Sequence, residues 1–422
     1  MRRIRTIFIF LTIIFFIGLV WLPTGLDLKD SFKILKSRHI SYFKKMNYFD
    51  DLYLNINQFD LRKLEGIRVK AIEGGFLDYK LRKYVPAELE SENNEHVKVN
   101  IKLKGSLSDH WRDPVKWSFR VKIDKDQDAI FGMRKFSLQS VERRGFIVDK
   151  LYHSILEDMG VVNLQLDYVN LFINGNYTGQ YIVEEFFKES ILNRLNLPLG
   201  PIFKFDYSSY WTAFNWRNLE SKPVRKKHEV DNFKNYPVKH YSLSTKDEVA
   251  YSENKAKAED LMNAFTNNKK TTSEVFDINK LGAFFAVNTL FFNQHPAYNT
   301  NIRFYYNPSS EKIEPIGYDI ERIHEVDLKK ETTASENYFP TPNADYFMIR
   351  KYFSDSLMTI SFHKKLSALI NSNIVENNLE KIDPLNQEFK IFFGAKWKGV
   401  DKLIRSNLKE LKKLNDTLLK FN

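Results

Sequence analysis

The 422-residue chain is 43% hydrophobic and 15% aromatic, which excludes a disordered chain and is enough for two packed units of roughly 150–200 residues each. Cysteine is absent, so disulfide scaffolds, Cys-ligated metal sites and thiol nucleophiles are excluded. The 64 Lys+Arg against 53 Asp+Glu leave a charge of +11, but the basic residues are dispersed and the densest run is only Arg225-Lys226-Lys227. With no zinc-finger or RNP-like string beside them, they read as a solvated surface and not as a nucleic-acid interface.

Arg2, Arg3 and Arg5 precede an apolar run from Ile7 to Leu22 interrupted by Thr12 and Gly18. As a helix this run spans about 24 Å, short of a ~30 Å hydrocarbon core unless Trp21 and the arginines sit at the interfaces. No A-x-A-like cleavage site occurs in Leu22-Pro23-Thr24-Gly25, which favours an uncleaved anchor over a cleaved signal segment. Lys29, Lys33, Lys36 and Arg38 leave the positive-inside count ambiguous, so the orientation is set by the usual export of the chain beyond a first apolar segment. Residues 1–25 are expected to be a single-pass N-terminal transmembrane helix or signal segment in the cytoplasmic membrane. Residues 26–65 are expected as an aromatic-rich juxtamembrane region outside the core, and the globular remainder as extracytoplasmic.

Residues 66–123 alternate apolar and polar in Ile67–Ile72, Val97–Lys104 and Trp117–Ile123, which predicts half-buried strands. Residues 146–159 switch to helical spacing, with Leu151, Ile155 and Met159 on one stripe and Gly160 as the stop. Tyr168–Ile173 and Tyr177–Val183 then flank Asn174-Gly175, a strong hairpin signal. Strands, a helix and a hairpin make residues 66–205 a sheet-rich α+β lobe. Helical patterns at 250–266, 278–292, near 344–371 and at 400–420 make 206–422 a mainly helical second lobe. This lobe includes a second hairpin, Ile302–Tyr306 with Ile313–Tyr318, and an irregular insertion at 206–245. Two such lobes suit a ligand held in the cleft between them.

Three stretches carry candidate chemistry. Lys104-Gly105-Ser106 is followed by the basic strand Lys116-Trp117-Ser118-Phe119-Arg120-Val121-Lys122, a pattern that suits phosphate but equally a hairpin with a solvated basic face. Asn293-Gln294-His295-Pro296, with Asn299, Asn301 and Arg303 beyond it, suits caps and turns, and a lone His295 there is more often structural than catalytic. Glu314-Pro315-Ile316-Gly317-Tyr318-Asp319-Ile320-Glu321-Arg322 ends a strand on carboxylates at i and i+2, which share a face. Such a pair suits a hard cation that also bridges to substrate phosphates, or a salt-bridge cluster with Arg322.

Taken in order, Lys-Gly-Ser, the Lys-Trp-Ser-Phe-Arg strand, a helix ending in Met159-Gly160, Asn-Gly-x-Tyr-x-Gly-x-Tyr-x-x-Glu-Glu over 174–185, Gly-Pro-Ile-Phe-Lys over 200–204, Asn301-Ile-Arg-Phe-Tyr and Pro-Ile-Gly-Tyr-Asp form a recognisable series. The series resembles the CotH family, the spore-coat-protein-H-like atypical kinases, over roughly residues 95–420. The resemblance implies a divergent protein-kinase-like two-lobe fold and transfer of phosphate from ATP to a protein hydroxyl with Mg²⁺ or Mn²⁺. It implies Asp319 as the catalytic, metal-binding aspartate, with Glu321 in place of the family's usual second Asp. Asn301, with Asn299 as the alternate, would complete the metal shell. Lys116, with Lys122 as the alternate, would hold nucleotide phosphate beside the Gly105-Ser106 turn, and Glu184 or Glu185 and Lys204 would line the cleft.

One departure stands out. Where many members carry Asn-x-Asp, this chain has Asn293-Gln294-His295. His295 is then the expected base, since imidazole titrates near neutral pH. The alternative is a catalytically silent envelope protein that uses the cleft to bind a cell-surface glycan or polyphosphate. The acceptor protein has no signature in the sequence.

Overall fold

The computed structural model describes residues 45–91, 96–208, 237–320, 322–325, 347–394 and 399–419. The expected membrane segment, Glu321 and residues 209–236 of the expected insertion lie outside the described residues. Among the described residues no helix is long and apolar enough to cross a membrane. The chain divides into two compact units, one formed by residues up to 130 with 134–140 and 168–183, the other by 131–133, 141–167 and 184 onward.

The first unit contains β1 (Asp50–Asn55), α1 (Gln58–Gly74), β2 (Val85–Ser91), β3 (His96–Leu103), β4 (Phe119–Ile123) and β5 (Lys135–Ser140). After α2 (Val148–Asp158), which belongs to the second unit, come β6 (Leu166–Ile173) and β7 (Asn176–Glu185), whose bulk returns to the first. Alternation drives the strands: Val97, Val99, Ile101 and Leu103 of β3 and Phe119, Val121 and Ile123 of β4 are buried, with more accessible residues between them. The seven strands close into a barrel in the order β1-β2-β3-β4-β5-β7-β6. The sheet content is as expected, and the closed barrel corrects the kinase-like two-lobe layout.

The closing strand is β1, antiparallel to β2 and parallel to β6. It lies within residues expected to be juxtamembrane, yet Leu52 and Leu54 are fully buried, so this part of the 26–65 expectation is corrected as well. Two asparagines lock β1 in place. Asn170 of β6, itself buried, donates to the carbonyls of Met46 and Phe49 at 2.9 Å each and to Asp51 Oδ1 at 3.0 Å. Asn174, in the left-handed region beside Gly175 as a two-residue hairpin turn requires, accepts from Ile56 N at 2.7 Å.

Residues 67–72, expected as a strand, lie inside α1. The helix starts on Asn57, whose side chain accepts from Asp60 N, and stops at the left-handed Gly75. Its buried positions are Asp60, Leu64, Arg68 and Ala71, a helical spacing that hydrophobicity alone hides because two of the four are charged. Arg68 donates to the carbonyls of Trp111 and Arg112 at 2.7 and 2.8 Å, so polar groups anchor the buried face.

The second unit is α+β. Along the chain, α3 (Glu189–Arg194), β8 (Ile202–Phe205), β9 (Val238–His240), α4 (Glu248–Thr266), α5 (Thr272–Val275), α6 (Ile278–Leu290), β10 (Arg303–Asn307) and β11 (Lys312–Ile316) precede four more helices. These are α7 (Phe347–Phe353), α8 (Ser356–Asn371), α9 (Ile374–Phe393) and α10 (Val400–Leu419). The sheet runs β11-β10-β8-β9, antiparallel throughout, and β9 falls inside the segment expected to be irregular. Helix α6 is buried on every side from Leu281 to Leu290, as a central helix must be when it is apolar all round. Much of the aromatic content packs here: Phe265 stacks on Tyr352 at 5.5 Å and Phe276 meets Tyr352 edge-on at 5.2 Å. Helix α2 packs close to the end of β11, where a Cβ on Gly317 would lie 2.0 Å from Leu156 Cδ1, so any side chain there would displace the Leu156 tip.

Candidate active site

Asp319 follows β11 by three residues and has positive φ (66°), a conformation that Asp tolerates better than most side chains and that is often found at functional sites. Its neighbours come from three other parts of the second unit. Arg144 ends a single 3₁₀ turn, Val141–Arg144; Asp149 lies in the first turn of α2; Glu184 is the penultimate residue of β7. Arg144 is almost fully buried and touches all three carboxylates: Asp149 Oδ2 from Nε at 2.5 Å, Glu184 Oε1 from Nη2 at 2.9 Å, and Asp319 Oδ1 from Nη1. The Asp149 and Glu184 contacts are close but poorly directed as hydrogen bonds.

Three carboxylates thus share one guanidinium, and the group carries a negative surplus. Burial works against the charge of Arg144, but Asp149, Glu184 and Asp319 outweigh it and hold the guanidinium well above its ordinary value. Asp149 takes the strain of the crowding. Burial pushes it up to about 7, Glu184 and Asp319 add to the rise, and Arg144 opposes it. Asp319 differs from Asp149 and Glu184 in exposure: its side chain is 17% exposed, against 0% and 1%.

The far side of Asp319 faces the loop between α6 and β10. His295 Nε2 lies 3.4 Å from Asp319 Oδ2, and the Asn301 amide lies 2.8 Å from the same nitrogen. Buried Asn293 clamps this loop to the residues after Asp319, donating to the carbonyls of Ile320 at 2.8 Å and Arg322 at 2.9 Å while accepting from His295 N at 2.9 Å. Arg303 closes the loop's other end through the carbonyls of Thr300, Asn301 and Ile302, and its Nε donates to Tyr241 Oη at 2.7 Å. Asn299 is buried in the same loop.

Asp319, His295, Asn301 and Glu184 are therefore brought together in one unit. Glu184 and Glu185 diverge, as successive strand residues must. Glu185 turns to Arg194 at 3.1 Å, Gln165 N at 3.0 Å and Ser190 at 2.8 Å, which makes it an anchor for α3. Lys204 is half-buried on β8, in register with Lys239 of β9.

The remaining expected residues belong to the first unit. Lys116 lies along β7 at Gly179, where a Cβ would sit 3.0 Å from Lys116 Cε and 3.2 Å from its Nζ; φ of 125° excludes most L-residues there too. The second Gly of the Asn-Gly-x-Tyr-x-Gly string thus makes room for this lysine. Gly105 is packed under His110, and the Ser106 hydroxyl accepts from Arg82 at 2.5 Å. Lys122 is exposed on the outward side of β4.

Among the described residues no three His, Cys, Asp or Glu side chains form a metal cage. The donors do fit a cation shared with phosphate, which takes one or two carboxylates and completes its shell from water and substrate. Arg144 engages one oxygen of Asp319, the other faces His295, and Asn301 stands in the same loop with its amide nitrogen on His295.

Arg144 and Asp149 are site residues that the sequence patterns did not single out. A signal existed: Asp149 lies on the buried face of an amphipathic helix, and a charge there requires a partner. No curated protein matches the chain. The family model for the CotH kinase protein matches residues 101–399, a span that includes Arg144, Glu184, His295, Asn301 and Asp319. With 299 of 422 residues matched and the Asp319 centre inside the matched span, the chain belongs to the CotH kinase family.

Proposed function

We propose that the protein is a membrane-tethered, extracytoplasmic phosphotransferase that moves phosphate from ATP to a hydroxyl of another protein. The observation that carries this reading is the division of labour at Asp319, with one oxygen fixed by buried Arg144 and the other turned toward His295. A carboxylate fixed in this way is preorganised, which is where most of the gain in phosphoryl transfer arises. Asp319 and Asn301 would hold a divalent cation, Mg²⁺ or Mn²⁺, which supplies charge neutralisation for the transferring phosphoryl group when bound. Lys116, which the family resemblance associates with nucleotide phosphate, lies against Gly179 within the first unit.

His295 is the candidate acceptor for the hydroxyl proton, its ring held beside Asp319 by the Asn301 amide, which lies 2.8 Å from Nε2 and 3.3 Å from the His295 carbonyl. Tethering rests on the apolar run Ile7–Leu22. A second reading, a catalytically silent protein that binds a surface glycan or polyphosphate, is favoured by His295 standing where many relatives have a carboxylate.

Thermal unfolding with ATP, with and without Mg²⁺ or Mn²⁺, distinguishes the two. The expected result is a metal-dependent stabilisation of about 2–3 kcal/mol at a hundredfold excess over Kd, lost in Asp319→Ala. No response to millimolar ATP would reject the phosphotransferase reading.

A further inference from the structure

Lys102 on the outward side of β3 and Arg120 on that of β4 carry positive charge to which the Asp319 centre assigns no role. Lys102 stands directly opposite Arg120 in the antiparallel ladder. A cross-strand pair of like charges destabilises a sheet unless something engages it. Both residues are on the outer face, since Ile101, Leu103, Phe119 and Val121 beside them are buried. Lys102 Nζ lies 4.5 Å from the centre of the Tyr84 ring.

Arg82, two residues before Tyr84, brings a third cation to this place. Its Nη2 donates to Ser106 Oγ at 2.5 Å and to the Leu77 carbonyl at 2.9 Å, and Leu77 N donates back to the Ser106 carbonyl at 3.0 Å. Its Nε is buried and has no hydrogen-bond partner among the described residues.

The cations feel one another. Burial, then Arg120 and Arg82, hold the Lys102 ammonium below its ordinary value, and among the described residues no carboxylate acts against them. Burial likewise pushes Arg82 down to about 10, opposed by Asp78 and reinforced by Arg120. Arg120 has a further interaction of its own, so Lys102 and Arg82 are the principal cations here.

We propose that Arg82, Lys102 and Arg120, with the Ser106 hydroxyl, form a binding site for a phosphate-type oxyanion. Guanidinium groups present paired N–H donors that match such an anion, and the ammonium adds a point charge. The Ser106 oxygen accepts from Arg82 and keeps its own O–H to donate. The same chemistry serves free phosphate or pyrophosphate and the polyphosphate of a nucleotide. The site stands independently of the role assigned to Asp319.

The test is thermal unfolding of the full chain without divalent metal, with pyrophosphate titrated against chloride at matched ionic strength. The wild type is expected to rise by about 2–4 °C at millimolar pyrophosphate. Lys102→Met is expected to melt about 1–2 °C higher than the wild type without the anion, because a repulsion is removed, and to lose the pyrophosphate response. Asp319→Ala is expected to keep that response, which separates this site from the catalytic reading. An ATP response that also disappears in Lys102→Met identifies nucleotide as the source of the anion; one that survives identifies free phosphate. No pyrophosphate response beyond chloride, or one unchanged in Lys102→Met, overturns the proposal.

Discussion

Replacing Arg144 with methionine is expected to destabilise the protein by about 3–5 kcal/mol, because a buried ion cluster loses the cation its carboxylates share while those carboxylates stay in place. Asp149 and Glu184 are essentially inaccessible to water, so neither can recover by hydration what it loses. The reason for the loss can be checked by combination. Adding Asp149→Asn and Glu184→Gln to Arg144→Met should return a large part of the lost stability, since the penalty comes from uncompensated charge and not from lost packing. Urea unfolding of the three proteins reads this directly. A single variant within 1 kcal/mol of the wild type, on the scale of ordinary surface substitutions, would contradict the arrangement.

The second large effect is a pair of opposing pH dependences. His153 is buried, and its Nδ1 accepts from Leu164 N at 3.1 Å, which requires the neutral ring. Burial, reinforced by Arg144, pushes it from 6.5 down to about 3. Between these values the unfolded chain binds a proton that the folded protein refuses, so this group's contribution is lost as pH falls below 6.5. Asp149 acts in reverse. The folded protein keeps a proton up to about 7 that the unfolded chain releases near 3.8, so its contribution is lost as pH rises through that interval.

Each contribution is on the order of a few kcal/mol across its interval, and in the wild type they largely offset one another. His153→Asn, which keeps an acceptor for Leu164 N, should therefore melt at progressively lower temperature as pH rises from 4 to 7. Asp149→Asn should do so as pH falls over the same range. Slopes in both variants identical to that of the wild type would show that neither group is perturbed.

Much of the fold is legible in the sequence wherever one physical signal dominates. The alternation in Val97–Lys104 and Trp117–Ile123 corresponds to β3 and β4, and Asn174-Gly175 does form the turn between β6 and β7. The helical spacing read over 146–159 and the helical pattern at 278–292 correspond to α2 and α6. Barrel closure is not legible, because it depends on β1, which pairs with strands far away in sequence and is held by Asn170 and Asn174. Helix α1 reads as a strand because Asp60 and Arg68 occupy buried positions that hydrophobic patterning counts as polar. At the site, the residue types of Asp319, His295 and Asn301 point to chemistry, whereas Arg144 and Asp149 acquire meaning only once a 3₁₀ turn and a helix start place them against Glu184 and Asp319.

The most direct measurement is transfer of label from γ-labelled ATP to protein, with the full chain in the presence of Mg²⁺ or Mn²⁺ and an added mixture of envelope proteins. The expected result is metal-dependent labelling of protein hydroxyls that falls at least a hundredfold in Asp319→Asn, since that variant keeps the shape but loses the charge. His295→Ala should fall by about the 10²–10⁴-fold that a positioned proton acceptor contributes. Labelling absent from the wild type, or equal in the wild type and Asp319→Asn, would contradict a phosphotransferase built on Asp319.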